Sequence, residues 1–233
     1  MSLEVEVVDD PARACSALLL SAMLGGGDVV VTGGDTPRPA YEELAKAARE
    51  VGNDLRETTL WFSDERCVPP DNELSNYRLV KQALLDPLAD MPRPAVRRIR
   101  GELGPSEAAE AYERELDEAG EPEFALVLLG LGPDGHLASM FPDQASLSER
   151  SRLVVGVEES GLEPLVPRVT LTLPALANAQ QVAFLVTGAD KADAVAAAFG
   201  PDAKPDPHVP ASMLVPLAKQ LTVLVDPAAA GRL

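Results

Sequence analysis

Alternating apolar runs and amphipathic segments predict an α/β protein: a doubly wound, mostly parallel, Rossmann-like sheet with helices on both faces. Three observations carry this prediction. Residues 29–32 and 124–129 are almost uninterrupted apolar runs, the pattern of strands in a parallel sheet covered on both sides. Between such runs lie stretches with apolar residues at helical spacing and capping residues at their starts. Glycine-rich turns follow the runs, where ligands bind at the carboxyl ends of strands in open α/β sheets. A length of 233 residues suits one large domain or two small ones, and with no linker long enough to separate units a single domain spanning 1–233 is expected.

The elements follow in order. Residues 5–8 read as a strand. Asp10 then offers an N-cap, Pro11 a first-turn proline, and Gly25 to Gly27 a stop for the first helix. The apolar run at 29–32 passes through a turn to a helix over 39–51, closed by Gly52. Residues 60–62 form a brief strand. Ser75 caps a helix whose Leu79, Val80, Ala83 and Leu84 share one face. A connector over 87–100 leads into a short strand, and Ser106 caps a helix ending near Gly120. After the buried strand at 124–129 come strands near 153–157, 168–173, 182–187 and 221–225, with a helix over 189–199. The proline-rich stretch 201–210 is a loop.

Charge narrows the function. Acids outnumber bases 37 to 20, a formal net charge of −17, which argues against nucleic acid or an anionic membrane as partner. Local arginines and backbone amides still permit a small anionic substrate. Two cysteines, Cys15 and Cys67, make no disulfide framework and have no metal-site spacing, and two histidines add little, so no metal is expected. The opening MSLEVEVVDD is acidic where a secretory leader is basic, and residues 17–24 are too short an apolar stretch to cross a bilayer. A cytoplasmic protein is expected, with a monomer as the default assembly.

Four motifs carry chemistry. VVVTGGDTPRP, at 29–39, leads a strand through Gly33, Gly34 and Thr36 into a helix start, an arrangement that serves either as a phosphate cradle or as a plain turn. It lacks the Gly-Lys-Ser/Thr of a Walker A loop. GLGPDG, at 130–135, matches the dinucleotide fingerprint, but Pro142 interrupts the helix that would receive a pyrophosphate. His136 follows at once, past the end of a central strand, with Asp134 beside it. It reads as a general base or as a loop histidine. SDER, at 63–66, reads as a histidine-orienting and anion-binding cluster or as a solvated turn. Arg168 opens one strand, Lys191 follows Thr187 and Gly188 at a helix start, and His208 reads as structural.

Together these segments resemble the 6-phosphogluconolactonase family. TGGDTPRP, DERCVPPDNELSNYRLVKQALL, LGLGPDGHLASMFP, PRVTLTLPAL, VTGADKADAV and HVPASML occur in the family's order over about 29–214. The resemblance implies a NagB/RpiA/CoA transferase-like sheet and hydrolysis of 6-phospho-D-glucono-1,5-lactone without any cofactor, with a phosphosugar lactone as the small-molecule partner. It implies that His136 activates water, that Asp64 lies beside His136 and orients it, and that Arg66 stabilises the oxyanion. It assigns Gly33, Gly34, Thr36, Arg168 and Lys191 to the phosphate and leaves Asp134 as a second His-orienting or loop-fixing carboxylate. Two positions depart from the family pattern: Asp35 in the glycine loop, and Cys67 after Asp-Glu-Arg. Glucosamine-6-phosphate deaminases share the glycine loop and the Asp-Gly-His core. Their usual acid five residues after the histidine is Phe141 here, and Arg66 replaces a tyrosine, which favours the lactonase. A non-catalytic sugar-phosphate sensor is the third reading. It requires a DNA-binding module, for which there is neither room before Val29 nor a basic face.

Overall fold

The computed structural model describes residues 2–233. Seven parallel strands form the main sheet in the order β1-β10-β9-β6-β2-β3-β5. Their ranges are β1 Ser2–Val7, β2 Gly27–Val31, β3 Thr58–Phe62, β5 Ala95–Val96, β6 Phe124–Leu129, β9 Ala179–Val186 and β10 Gln220–Val225. Val29 to Val31 and Leu126 to Leu129 are buried at every position, so both faces of the sheet are covered. The covering helices are α1 Pro11–Leu24, α2 Arg38–Val51, α3 Asn76–Val80, α4 Pro105–Glu118, α5 Leu173–Ala177, α6 Ala192–Phe199 and α7 Pro210–Leu214. The expected doubly wound α/β architecture is the observed one.

Several boundaries differ from the sequence reading, each for a local reason. Asp10 caps α1 as expected, its Oδ1 accepting from Arg13 N at 3.0 Å. Ser106 is not a cap: α4 starts one residue earlier at Pro105, with Gly104 at φ 85° as its N-cap. Ser75 does cap α3, accepting from Arg78 N at 3.1 Å, but the α-helix ends at Val80 and widens into a π-turn over Lys81–Leu85. The strand expected at 168–173 is β8 Arg168–Leu171, because Thr172 is the N-cap of α5, which begins at Leu173 with Pro174 in its first turn. Residues 64–66 are not a turn. They form β4 Asp64–Arg66, which pairs antiparallel with β8, and β8 pairs with β7 Val154–Val157 in a second, three-stranded sheet.

The strand order creates the crevice. From β2 the chain moves outward through β3 to β5, whereas from β6 it moves the other way through β9 to β10. The β2–β6 junction is therefore a switch point, and loops leaving these two strands diverge around an open cleft. Two buried tyrosines fix strand ends at this rim. Tyr41 of α2 accepts from Thr32 N at 3.0 Å and donates to Thr32 O at 2.7 Å, just where the glycine loop begins. Tyr112 of α4 accepts from Phe62 N at 2.7 Å, one residue before Ser63 and β4. Burial pushes the Tyr41 phenol pKa far up, so its proton stays available to donate.

Tyr41→Phe leaves the buried N–H and C=O of Thr32 without their partner, so the variant loses about 1–3 kcal/mol of stability in urea denaturation. An unchanged midpoint would show that Tyr41 does not hold the strand end.

Candidate active site

A cleft of about 420 Å³ opens at the carboxyl rim of β2, β3, β6 and β9. Gly33, Gly34, Thr36, Asp64, Arg66, His136, Arg168 and Lys191, all singled out in the sequence, line it. Asn76 lines it as well, a residue the sequence reading passed over. Residues spread over more than 150 positions thus meet in one place.

The loop after β6 explains its glycines. A Cβ on Gly132 would lie 1.9 Å from His136 Nδ1 and 2.5 Å from Asp134 Oδ1, so this glycine makes room for the histidine and its partner rather than for a pyrophosphate. Asp134 Oδ1 lies 2.5 Å from His136 Nδ1 and also accepts from His136 N at 3.2 Å. With Nδ1 engaged by a carboxylate, the other ring nitrogen, Nε2, is the free one. Burial works to raise the Asp134 pKa, but the hydrogen bond and charge of His136 outweigh it and hold the carboxyl below its ordinary value of 3.8.

Asp64 lines the same cleft as His136 but is not its hydrogen-bond partner. Its carboxylate is buried and accepts from Ser63 Oγ at 2.9 Å, Asn76 Nδ2 at 3.2 Å and Ser139 Oγ at 2.7 Å. It therefore ties the end of β3, the start of α3 and the loop after His136 to one point. The histidine's direct partner is Asp134, because the tight turn at 132–136 folds that carboxylate back onto the ring two residues later.

Glu65 does a parallel job beside it. Its buried carboxylate accepts from Arg66 N, Asn76 N, Tyr77 N and Ser75 Oγ at 2.7–3.0 Å, closing the N-terminus of α3. Asn76 bridges these units. Its Nδ2 donates to Asp64 O at 2.9 Å, and a Cβ on Gly33 would lie 1.8 Å from its Oδ1, so only glycine fits at that point of the loop. No local signal marks Asn76, since its partners come from β4 and from the loop after β2.

The electrostatics of the cleft turn on two arginines. Arg66 and Arg168 are direct partners in the β4–β8 ladder, so their Cα atoms lie roughly 5 Å apart. Like charges directly opposite each other destabilise a strand pair. Among the described residues, neither guanidinium has a carboxylate within ion-pairing distance. Arg66 donates to Leu74 O at 2.6 Å, and Arg168 to Leu162 O and Pro164 O at 3.1 Å each. The buried Nε of each has no partner. Desolvation by burial pulls the Arg168 pKa down. Two adjacent, partly buried cations with unfilled donors fit an anion. Lys191 adds a third cation, only loosely held by exposed Asp190 at 3.6 Å. Asp35 also borders the cleft but is exposed, so water screens its charge. Among the described residues, no group of three or more His, Cys, Asp or Glu side chains is arranged to hold a metal ion, and no helix is long and apolar enough to cross a membrane.

The family model described as glucosamine-6-phosphate isomerases/6-phosphogluconolactonase matches residues 6–223. The chain belongs to this family. Family relatives include the 6-phosphogluconolactonase of Synechocystis sp., 37 % identical over 207 residues covering 86 % of this chain and 82 % of that one. The Homo sapiens 6-phosphogluconolactonase is 40 % identical over 205 residues, covering 86 % of this chain and 78 % of its own. Among solved structures, the 6-phosphogluconolactonase of Thermotoga maritima superposes with a TM-score of 0.81 at 30 % identity, over 97 % of this chain and 100 % of that one.

A carboxyl held below its ordinary pKa stabilises the fold above that value and loses the contribution as pH falls through its lower folded value. Asp134→Asn therefore flattens the acid dependence of stability as pH falls below about 3.8. Denaturant midpoints measured across that window check it, and an unaltered acid slope would contradict the Asp134–His136 pairing.

Proposed function

We propose that the chain hydrolyses 6-phospho-D-glucono-1,5-lactone to 6-phospho-D-gluconate, a step of the oxidative pentose phosphate pathway. The observation that carries the reading is the uncompensated Arg66–Arg168 pair in the same cleft as a carboxylate-held histidine. Family membership supports it, since the named relatives are lactonases.

His136 takes a proton at Nε2 from a water that attacks the C1 carbonyl, while Asp134 fixes the ring and its tautomer through Nδ1. Negative charge then develops on the carbonyl oxygen. Arg66 supplies donors for it from a guanidinium already anchored by Leu74 O. When the tetrahedral intermediate collapses, the bond from C1 to the ring oxygen breaks. The His136 imidazolium returns its proton to the departing alkoxide, leaving the open-chain acid. Arg168, Lys191, Thr36 and the backbone of Gly33 and Gly34 hold the 6-phosphate, with the start of α2 adding its dipole. Asp64 acts from behind, as the buried acceptor that keeps Ser63, Asn76 and Ser139 in register. Because the lactone is an activated ester, proton transfer and positioning account for the chemistry. Ser139 donates to Asp64 and sits fully buried, which fits a scaffold role rather than that of a nucleophile. Phe141, not an acid, fills the space beside His136, which counts against a deaminase.

His136→Gln lowers kcat by ~10²–10⁴ with little change in KM, measured on freshly generated lactone and corrected for spontaneous hydrolysis. Near-normal turnover would remove His136 from the mechanism. Arg168→Ala and Lys191→Ala raise KM for the phosphorylated lactone by about 10- to 100-fold and leave the unphosphorylated lactone unaffected. Equal changes on both substrates would refute the phosphate assignment.

A further inference from the structure

Phe141 contacts both functional halves of the cleft. Its ring centroid lies 4.7 Å from that of His136 at a 42° tilt, and the Arg168 Cζ stands 5.2 Å above the same ring. The ring is almost wholly buried. It also carries the loop at the cleft mouth: a Cβ on Gly161 would lie 2.9 Å from Phe141 Cβ and Cγ, so the backbone rests directly on the aromatic side chain. That same loop supplies the Leu162 and Pro164 carbonyls that accept from Arg168 Nη2. Phe141, the loop and Arg168 therefore form a closed set of contacts.

The consequence for Arg168 is geometric. The aromatic ring stands against the guanidinium and the two carbonyls take Nη2, and these contacts restrict how the group can turn. Arg168 lines the cleft, and its Nε is buried without a partner, so the guanidinium still has donor capacity that the protein leaves unused. A planar fork restricted in this way is pre-organised for an oxyanion and loses little freedom on binding. On the other side of the contact, the ring limits how far the His136 imidazole can swing about its bond to Asp134.

We propose that Phe141 is a positioning residue that sets the plane of the Arg168 guanidinium for phosphate and the attitude of His136 for proton transfer. The assignment rests on the lactonase reading for the substrate, but its phosphate arm can be read without turnover. Two sets of variants separate the roles. Phe141→Leu removes the aromatic face and frees the imidazole. Mono-, di- and trifluorinated phenylalanine at position 141 keep nearly the same volume while progressively weakening the ring's negative face, on which cation–π attraction depends.

The probes are inorganic phosphate by calorimetry and the phosphorylated and unphosphorylated lactones by steady-state kinetics. Phe141→Leu weakens phosphate binding about 2- to 30-fold and lowers kcat on both lactones. The fluorinated series weakens phosphate binding and raises KM for the phosphorylated lactone in steps that follow fluorine count. A phosphate affinity that is flat across the series overturns the proposal, and so does a folded Phe141→Leu enzyme with wild-type phosphate affinity and kcat. If Phe141→Leu fails to fold, the fluorinated series alone decides. Wild-type protein that binds phosphate but does not hydrolyse the lactone refutes the lactonase reading and leaves the phosphate arm standing.

Discussion

Two arginines facing each other across a three-residue ladder, neither in a direct ion pair among the described residues, are the constraint around which this molecule is arranged. An uncompensated buried cation is costly, and a repelling pair costs more. The fold tolerates Arg66 and Arg168 because the β4–β8 ladder, the Leu74 carbonyl and the loop at 162–164 hold both guanidiniums in place. Arg168 has also lost part of its proton affinity to burial. An anion held between them, as proposed for the phosphorylated substrate, would relieve this arrangement. In a protein with a net charge of −17, such a pocket selects for a ligand that can neutralise it locally.

Around that pair, buried polar groups do the aligning. Asp64 and Glu65 are adjacent acids, both buried, and both used as acceptors for short-range donors. Asp64 gathers side chains from three segments, and Glu65 closes the first turn of α3. Tyr41 and Tyr112 anchor the ends of β2 and β3, from which the glycine loop and β4 depart. Each of these groups is satisfied inside the protein, which rigidifies the rim so that the two arginines, His136 and the glycine loop stay at fixed spacing.

The architecture was legible because periodicity reports it directly. Uninterrupted apolar runs at β2 and β6 predict strands buried on both faces, and glycines after both predict where the chain turns at the switch point. Eight of the nine residues picked from motifs line one cleft, and the ninth, Asp134, stands against His136 Nδ1. Details governed by tertiary partners were not legible. β4 is three residues long and gains its structure from β8, a hundred positions away, so SDER looks like a turn in isolation. Asn76 acquires its importance only because Gly33 packs against it. The choice between Asp64 and Asp134 as partner of His136 needed a distance, and the residue closer in sequence is the one in contact. Ser106 failed as a cap because Pro105, compatible with a first helical position, let the helix begin before it.

The most direct test of the central claim is a crystal structure with 6-phosphogluconate bound. The account predicts the phosphate on Arg168, Lys191 and the loop at 33–36, with the carboxylate against Arg66 and beside His136 Nε2. A phosphate bound elsewhere, or a product whose carboxylate lies away from His136 and Arg66, would contradict it.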